Sequence, residues 1–320
     1  MKILVTGAAG FEDLPDGARA PEGHEFIFSN DDESLQRHLP DAEIILGWNF
    51  RGNGLADYWH LARSLKWVQW CGAGVDGVLF PDLVDSDVVL TNARGLYDRA
   101  MAEYALCFIL MQLKDMPRTL SFQTKRDWQY RLTGKLVDKQ VAIYGVGSIG
   151  ASIASMLKAV GMNVTGIGRT AREDHPEFGK VYDQATAKVI LSQADWVIGI
   201  LPATPETELY FDADFFGTMK PAARFINLGR GVSVDEVALL DALKNKKIAG
   251  AALDVFQNEP LPQDDPLWVA PNLIISPHMS GDDDEANATM FELFCDNLKR
   301  YENNEPLRNL VDKQRGYAAR

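Results

Sequence analysis

Three short segments of the chain carry side chains able to do chemistry: NLGRG (227–231), DVFQNEP (254–260) and SPHMSG (276–281). They hold Arg230, Glu259 and His278: a guanidinium, a carboxylate and an imidazole. An imidazole exchanges a proton near neutral pH. A guanidinium forks onto a carboxylate and polarises a carbonyl beside it. A carboxylate can hold an imidazole ring in one orientation. Each segment lies at or just past the C-terminal end of an apolar stretch, RFINLG (224–229), AGAALDVF (249–256) or NLIISP (272–277). In an open parallel sheet that edge is where ligands bind. Residues far apart in sequence are therefore expected to converge on one cleft. The other histidines, His24, His38, His60 and His175, lie in no comparable motif.

The elements that must position these groups read as short apolar strands alternating with helical patterns. Further strands are KILVTG (2–7), AEIILG (42–47), VAIYG (141–145), NVTGIG (163–168) and WVIGIL (196–201). Near-continuous apolar strands separated by helices predict parallel sheets covered on both faces, an α/β protein. The 320 residues suggest two domains. The stretch MAEYALCFILMQL (101–113) is apolar all round, so it is expected in a core or a subunit interface. A last helix is expected from about 285 to 302, and the acids of GDDDE (281–285) decorate its N-terminus rather than hold a metal.

The net charge of −13 argues against a nucleic-acid partner and against anionic membranes. Cys71, Cys107 and Cys295 have neither paired nor metal-like spacing, which suits a reducing compartment. The start MKILV lacks a signal-peptide pattern, and no apolar run reaches the ~20 residues a membrane span needs. The expectation is a soluble cytoplasmic protein that holds no metal.

Two glycine turns compete as the seat of a dinucleotide. The first, TGAAGF (6–11), runs into EDLPDGARAPEG (12–23), a loop with prolines, glycines and acids where phosphates would sit. The second has Gly145, Gly147 and Gly150 directly after a strand, with Ser148 and Ile149 opening an amphipathic helix that ends at Gly161. Glycines there permit the tight turn, the approach of backbone to phosphate and the helix–strand contact. The second turn is therefore the expected site. An NAD site usually carries an acid at the end of the next strand, to hold the ribose 2′-OH. Here Gly168 is followed by Arg169 and Thr170, and Arg169 can pair with a 2′-phosphate. NADP(H) is expected in preference to NAD(H).

These segments resemble the D-isomer-specific 2-hydroxyacid dehydrogenase family. CGAGVDG (71–77), TNARG (91–95) with MAEYAL (101–106), LPATPET (201–207) and DDPLWVAPNLIISPH (264–278) fit the same likeness, which spans most of the chain. Within the family, Arg169-Thr170 resembles the glyoxylate/hydroxypyruvate reductase branch. The resemblance implies two Rossmann-like domains. The dinucleotide-binding domain (97–283) is inserted into a flavodoxin-like substrate domain (1–96 and 284–320), with the site in the cleft between them. It implies reduction of a small 2-oxo acid by hydride transfer. His278 would give the proton to the carbonyl oxygen, Glu259 would orient the ring and favour the imidazolium, and Arg230 would pair with the substrate carboxylate. N–H groups around Ala73, Gly74 and Val75 would take the other carboxylate oxygen, and Trp48, just past a strand, would cap the substrate. Leu201, Pro202, Leu228, Gly229, Ser280 and Gly281 would line the cofactor together with Arg230 and His278, and Asp254 would orient the nicotinamide. The segment around Trp128 would cross to a second subunit, making a homodimer.

Rival readings are an NAD-dependent dehydrogenase of another small acid and a dinucleotide-sensing corepressor of the same fold. Glu259 speaks against formate, because formate dehydrogenases place glutamine there. The residues do not choose among glyoxylate, hydroxypyruvate and phenylpyruvate.

Overall fold

The structure is a computed structural model that describes residues 1–49 and 54–318. The chain divides into two compact units, residues Met1–Tyr97 with Asp283–Arg320, and residues Asp98–Asp282, so the second interrupts the first.

The first unit is built on five parallel strands: β1 (Lys2–Thr6), β2 (Glu25–Ser29), β3 (Ile44–Gly47), β4 (Trp67–Trp70) and β5 (Val89–Thr91). Their order, β2-β1-β3-β4-β5, is that of the flavodoxin-like doubly wound sheet. The strands β3 and β4 are buried along their whole length because both sheet faces are covered. On one face lies the helix Ala286–Glu302, which returns from the far end of the chain. Its Phe294 stacks on Trp67 with centroids 5.7 Å apart, and Met290 and Leu298 join the same core. A buried polar chain fixes this contact. Trp67 donates to the Thr91 hydroxyl, which donates to Gln69 Oε1, and Asn297 donates to the same oxygen.

The second unit carries eight strands: β6 (Gln140–Tyr144), β7 (Asn163–Ile167), β8 (Arg172–His175), β9 (Gly179–Tyr182), β10 (Trp196–Gly199), β11 (Arg224–Asn227), β12 (Gly250–Leu253) and β13 (Leu273–Ile275). Their order is β13-β12-β11-β10-β6-β7-β9-β8, and only the β8–β9 pair is antiparallel. The chain leaves β6 for β7 on one side and later returns to β10 on the other. The ends of β6 and β10 therefore flank the switch point, the place where doubly wound sheets bind ligands. The helix Ser148–Ala159 leads away from β6 there, and Asp98–Leu113 packs against it.

The helix Asp98–Leu113 is only partly buried within the chain: Ala102, Ala105, Phe108 and Ile109 face inward, whereas Cys107 is exposed. A turn follows Thr124, and Trp128, Tyr130 and Leu132, which belong to no helix or strand, are each more than four-fifths exposed. Among the described residues, no helix is long and apolar enough to cross a membrane.

Candidate active site

The second unit brings Glu259 and His278 together. His278 Nδ1 lies 2.6 Å from Glu259 Oε2, and Glu259 Oε1 accepts the Phe256 N–H at 2.9 Å. The carboxylate is thus anchored to the backbone that follows β12 and grips the ring that follows β13. Both side chains are about a quarter exposed, so the pair is open on one side. A second carboxylate stands behind it. Burial pushes the Glu236 carboxyl up, and repulsion from Asp265 and Glu259 adds to this, while the Gln257 N–H pulls the other way.

His278 is held in an unusual backbone state. Its φ is +53°, in the left-handed region that costs a non-glycine residue roughly 1–2 kcal/mol. Asp254, fully buried at the end of β12, clamps the turn. Its carbonyl accepts the His278 N–H at 2.8 Å. Its Oδ1 accepts the Ser276 hydroxyl at 2.5 Å and the Met279 N–H at 3.0 Å, and its Oδ2 accepts the Ser280 N–H at 2.9 Å. Hydrogen bonds to a charged group contribute about 1.5–3 kcal/mol each, more than the backbone strain costs. The carboxylate expected to orient a nicotinamide is therefore committed to the turn that presents His278, and the buried Ser280 belongs to that clamp. Gly281, half-buried, follows directly.

Arg230 follows β11 in extended conformation, with φ −137°. Its carbonyl accepts the Asn227 side chain and the Ser233 hydroxyl, and its Nη1 donates to the Gly229 carbonyl at 3.0 Å. Gly229 must be glycine, since a Cβ there would stand 2.7 Å from the Leu201 carbonyl oxygen. Leu228, Gly229, Leu201 and, beside it, Pro202 thus line neighbouring strand ends.

The glycine turn after β6 is tightly built. Gly145 has φ +113°, and a Cβ there would sit 2.2 Å from the Ile200 carbonyl oxygen. A Cβ on Gly150 would sit 2.0 Å from the Gly145 carbonyl oxygen. Gly147 differs: it has φ −79°, it is exposed, and a Cβ would meet nothing within 4 Å. Protein packing explains the first and third glycines but not the second, which leaves room for a ligand's phosphates to approach the backbone. Gly147, which has no side chain to cap with, precedes the helix Ser148–Ala159, whose first turn holds Ser148 and Ile149. That helix end, with its unsatisfied N–H groups and positive dipole, fits a pyrophosphate.

Arg169 and Thr170 are exposed beyond β7. A carboxylate does approach Arg169, from another loop. The Glu206 carboxyl is held below its usual value first by its own backbone N–H, then by the Thr204 hydroxyl, and also by attraction to Arg169. The LPATPET stretch gave no sign of this neighbour, because only the fold brings it beside β7.

In the first unit, the carbonyls of the Gly72–Val75 loop are tied inward, Gly72 to Ala93, Ala73 to Asn92, Gly74 to the Trp70 indole and Val75 to Val78. In trans peptides the following N–H groups point the opposite way. The N–H groups of Ala73, Gly74 and Val75 thus point away from these partners. Trp48 is half-buried against the core, and its indole donates to the Asp13 carbonyl at 3.1 Å, so packing within its own unit accounts for it.

A dinucleotide-binding domain of the doubly wound class, with an imidazole–carboxylate pair three and four strands along the sheet from the strand that opens its glycine turn, is what the second unit defines. Residues 106–280 match the family model of the NAD binding domain of the D-isomer specific 2-hydroxyacid dehydrogenases. The chain is 31% identical over 298 residues to glyoxylate/hydroxypyruvate reductase A of Klebsiella pneumoniae, covering 88% of this chain and 94% of that one. A D-isomer specific 2-hydroxyacid dehydrogenase family protein of Aeromonas salmonicida superposes with a TM-score of 0.84 at 33% identity, over 98% of this chain and 99% of that one. The NADPH-dependent glyoxylate/hydroxypyruvate reductase of Sinorhizobium meliloti, solved with NADP and sulfate, gives a TM-score of 0.85 at 29% identity, over 99% of each chain. The chain belongs to the D-isomer specific 2-hydroxyacid dehydrogenase family.

Proposed function

We propose that the chain is an NADPH-dependent reductase of small 2-oxo acids, of the glyoxylate/hydroxypyruvate reductase kind. The observation that carries this reading is the Glu259–His278 pair, set past β12 and β13 in the same sheet whose β6 opens a glycine turn that fits a dinucleotide. Gly145, Gly147 and Gly150 hold the pyrophosphate, and Arg169 with Thr170 takes the 2′-phosphate. When bound, NADPH supplies the hydride that the carbonyl carbon of the acid accepts. With Nδ1 bound to Glu259, His278 gives its proton to the carbonyl oxygen from Nε2. Arg230 pairs with the substrate carboxylate and steadies the charge that grows on the oxygen. Asp254 acts indirectly, by holding the turn that aims His278. The peptides of Ala73 to Val75 offer N–H groups to an anion. A homodimer belongs to the same reading, supported by the exposed Trp128, Tyr130 and Leu132 and tested by light scattering.

The relatives support both parts: one is named a glyoxylate/hydroxypyruvate reductase, and another is NADPH-dependent and was solved with NADP. The test is oxidation of NADPH and NADH with a panel of 2-oxo acids including glyoxylate and hydroxypyruvate. Turnover with NADPH is expected; none with any 2-oxo acid would end the proposal. His278→Ala should lower kcat by about 10²–10⁴-fold, with NADPH binding nearly unchanged.

A further inference from the structure

His175, which no motif claimed, touches the glycine turn. It ends β8, and its ring is part-buried and packs edge-on against Phe178 with centroids 5.0 Å apart. Nδ1 accepts backbone N–H groups of Glu177 at 3.2 Å and Phe178 at 3.4 Å. A ring nitrogen that accepts carries no proton, so the neutral ring bears its hydrogen on Nε2. That nitrogen lies 3.2 Å from the carbonyl oxygen of Val146, the residue between the first two glycines of the turn. The bond therefore runs from His175 Nε2–H to Val146.

The peptide joining Val146 to Gly147 is planar and trans, so its C=O and N–H point in opposite directions. Pinning the carbonyl on the β8–β9 side turns the Gly147 N–H to the other side. The rest of Val146 is held as well. A Cβ on Gly166 would stand 2.9 Å from its side chain and one on Gly168 3.0 Å, so Val146 rests directly on β7. The same hairpin begins only three residues after Arg169, and Gly168 is bonded to Tyr182 of β9. One imidazole thus ties the turn to the strand pair that leads on from the 2′-phosphate segment.

We propose that His175 is a positioning residue for the dinucleotide: by donating to Val146 it fixes the Val146–Gly147 peptide plane and aims the Gly147 N–H at the pyrophosphate. The proposal rests on the reading that the cofactor docks on Gly145–Gly150. Its signature separates it from Arg169. The pyrophosphate is common to both dinucleotides, so loss of the His175 bond weakens NADPH and NADH equally.

The test uses the full chain with His175→Phe, which keeps a ring against Phe178 but removes the donor, and His175→Gln, whose amide restores one. Dissociation constants for NADPH and NADH are measured by nucleotide fluorescence, with kcat at saturating cofactor and Tm alongside. His175→Phe should weaken both cofactors by a similar factor of about five to ten, as the loss of one oriented donor implies. Its kcat at saturation should stay within about twofold of native, and His175→Gln should recover most of the affinity. If His175→Phe does not fold, His175→Leu carries the same expectation. Native affinity for both cofactors in the donor-less variant, or a loss confined to NADPH, would overturn the proposal. A native chain that bound neither dinucleotide would instead overturn the reading of the glycine turn, and this inference with it.

Discussion

The molecule contains two glycine turns in equivalent places, each after the first strand of its unit, and they are built to opposite ends. After β1 the chain makes only a three-residue helical turn, Phe11–Asp13. Asp13 folds back and accepts the Ala9 N–H at 2.6 Å, and the Asp13 carbonyl takes the Trp48 indole. The Glu12 carboxylate crowds Gly10, where a Cβ would meet it at 2.3 Å. An acid of the first turn thus takes one of the turn's own N–H groups. After β6 a twelve-residue helix begins at once, its cap is a glycine with no side chain to fill it, and acids gather instead around the imidazole at the ends of β12 and β13. A turn that satisfies its own donors is scaffold, whereas one that leaves donors unsatisfied next to open space is a binding site.

Exchanging the glycines should show the contrast at its largest. Gly150→Val puts a side chain against the Gly145 carbonyl and should weaken NADPH by on the order of 100-fold or more, as losing two or three phosphate bonds implies. Gly10→Val meets only a flexible, exposed glutamate and should leave cofactor affinity unchanged. Equal losses from both variants in nucleotide titrations would erase the distinction.

Next in size is Asp254→Asn. An amide NH₂ would face either the Met279 or the Ser280 donor, disturbing the clamp on His278. We expect kcat to fall by about 10–50-fold, with cofactor affinity changed little. The matching change in the first turn, Asp13→Asn, should leave kcat at its native value. Steady-state kinetics on the two variants reads this directly.

Smaller effects concern the 2′-phosphate. Arg169→Ala should raise the Kd for NADPH by about tenfold and leave NADH alone. Glu206→Gln removes the carboxylate that competes for Arg169 and should tighten NADPH by about two- to fourfold, the effect of an exposed pair. If Glu206→Gln weakened NADPH, Glu206 would be organising Arg169 rather than competing for it. A fluorescence titration with each dinucleotide separates these outcomes.

Much of this was legible in the sequence. Runs such as VAIYG and AEIIL announce buried parallel strands, and their alternation with helices announces an α/β protein; the flavodoxin-like and Rossmann-like halves came from the family resemblance. The choice between the turns was legible too, because prolines and acids after Gly10 exclude a helix, whereas SIASMLKA after Gly150 demands one. Glu259 and His278 were picked out by their places at strand ends. Glu206, Glu236 and His175 carried no signal. The first two bear on Arg169 and Glu259 only across loops, and His175 reaches Val146 only because β8 and β9 fold into a hairpin at the sheet edge.

The chain by itself determined what nearest neighbours and periodicity can encode: which stretches pair as strands, which glycine turn opens a helix, and which side chains stand at the sheet's carboxyl edge. Only the tertiary structure decided which polar groups are already engaged. Asp254, expected at the nicotinamide, accepts three hydrogen bonds from the turn that holds His278 at positive φ. The direction of a backbone N–H is likewise set by what grips the carbonyl behind it. That grip comes from residues distant in sequence, so no local pattern can record it.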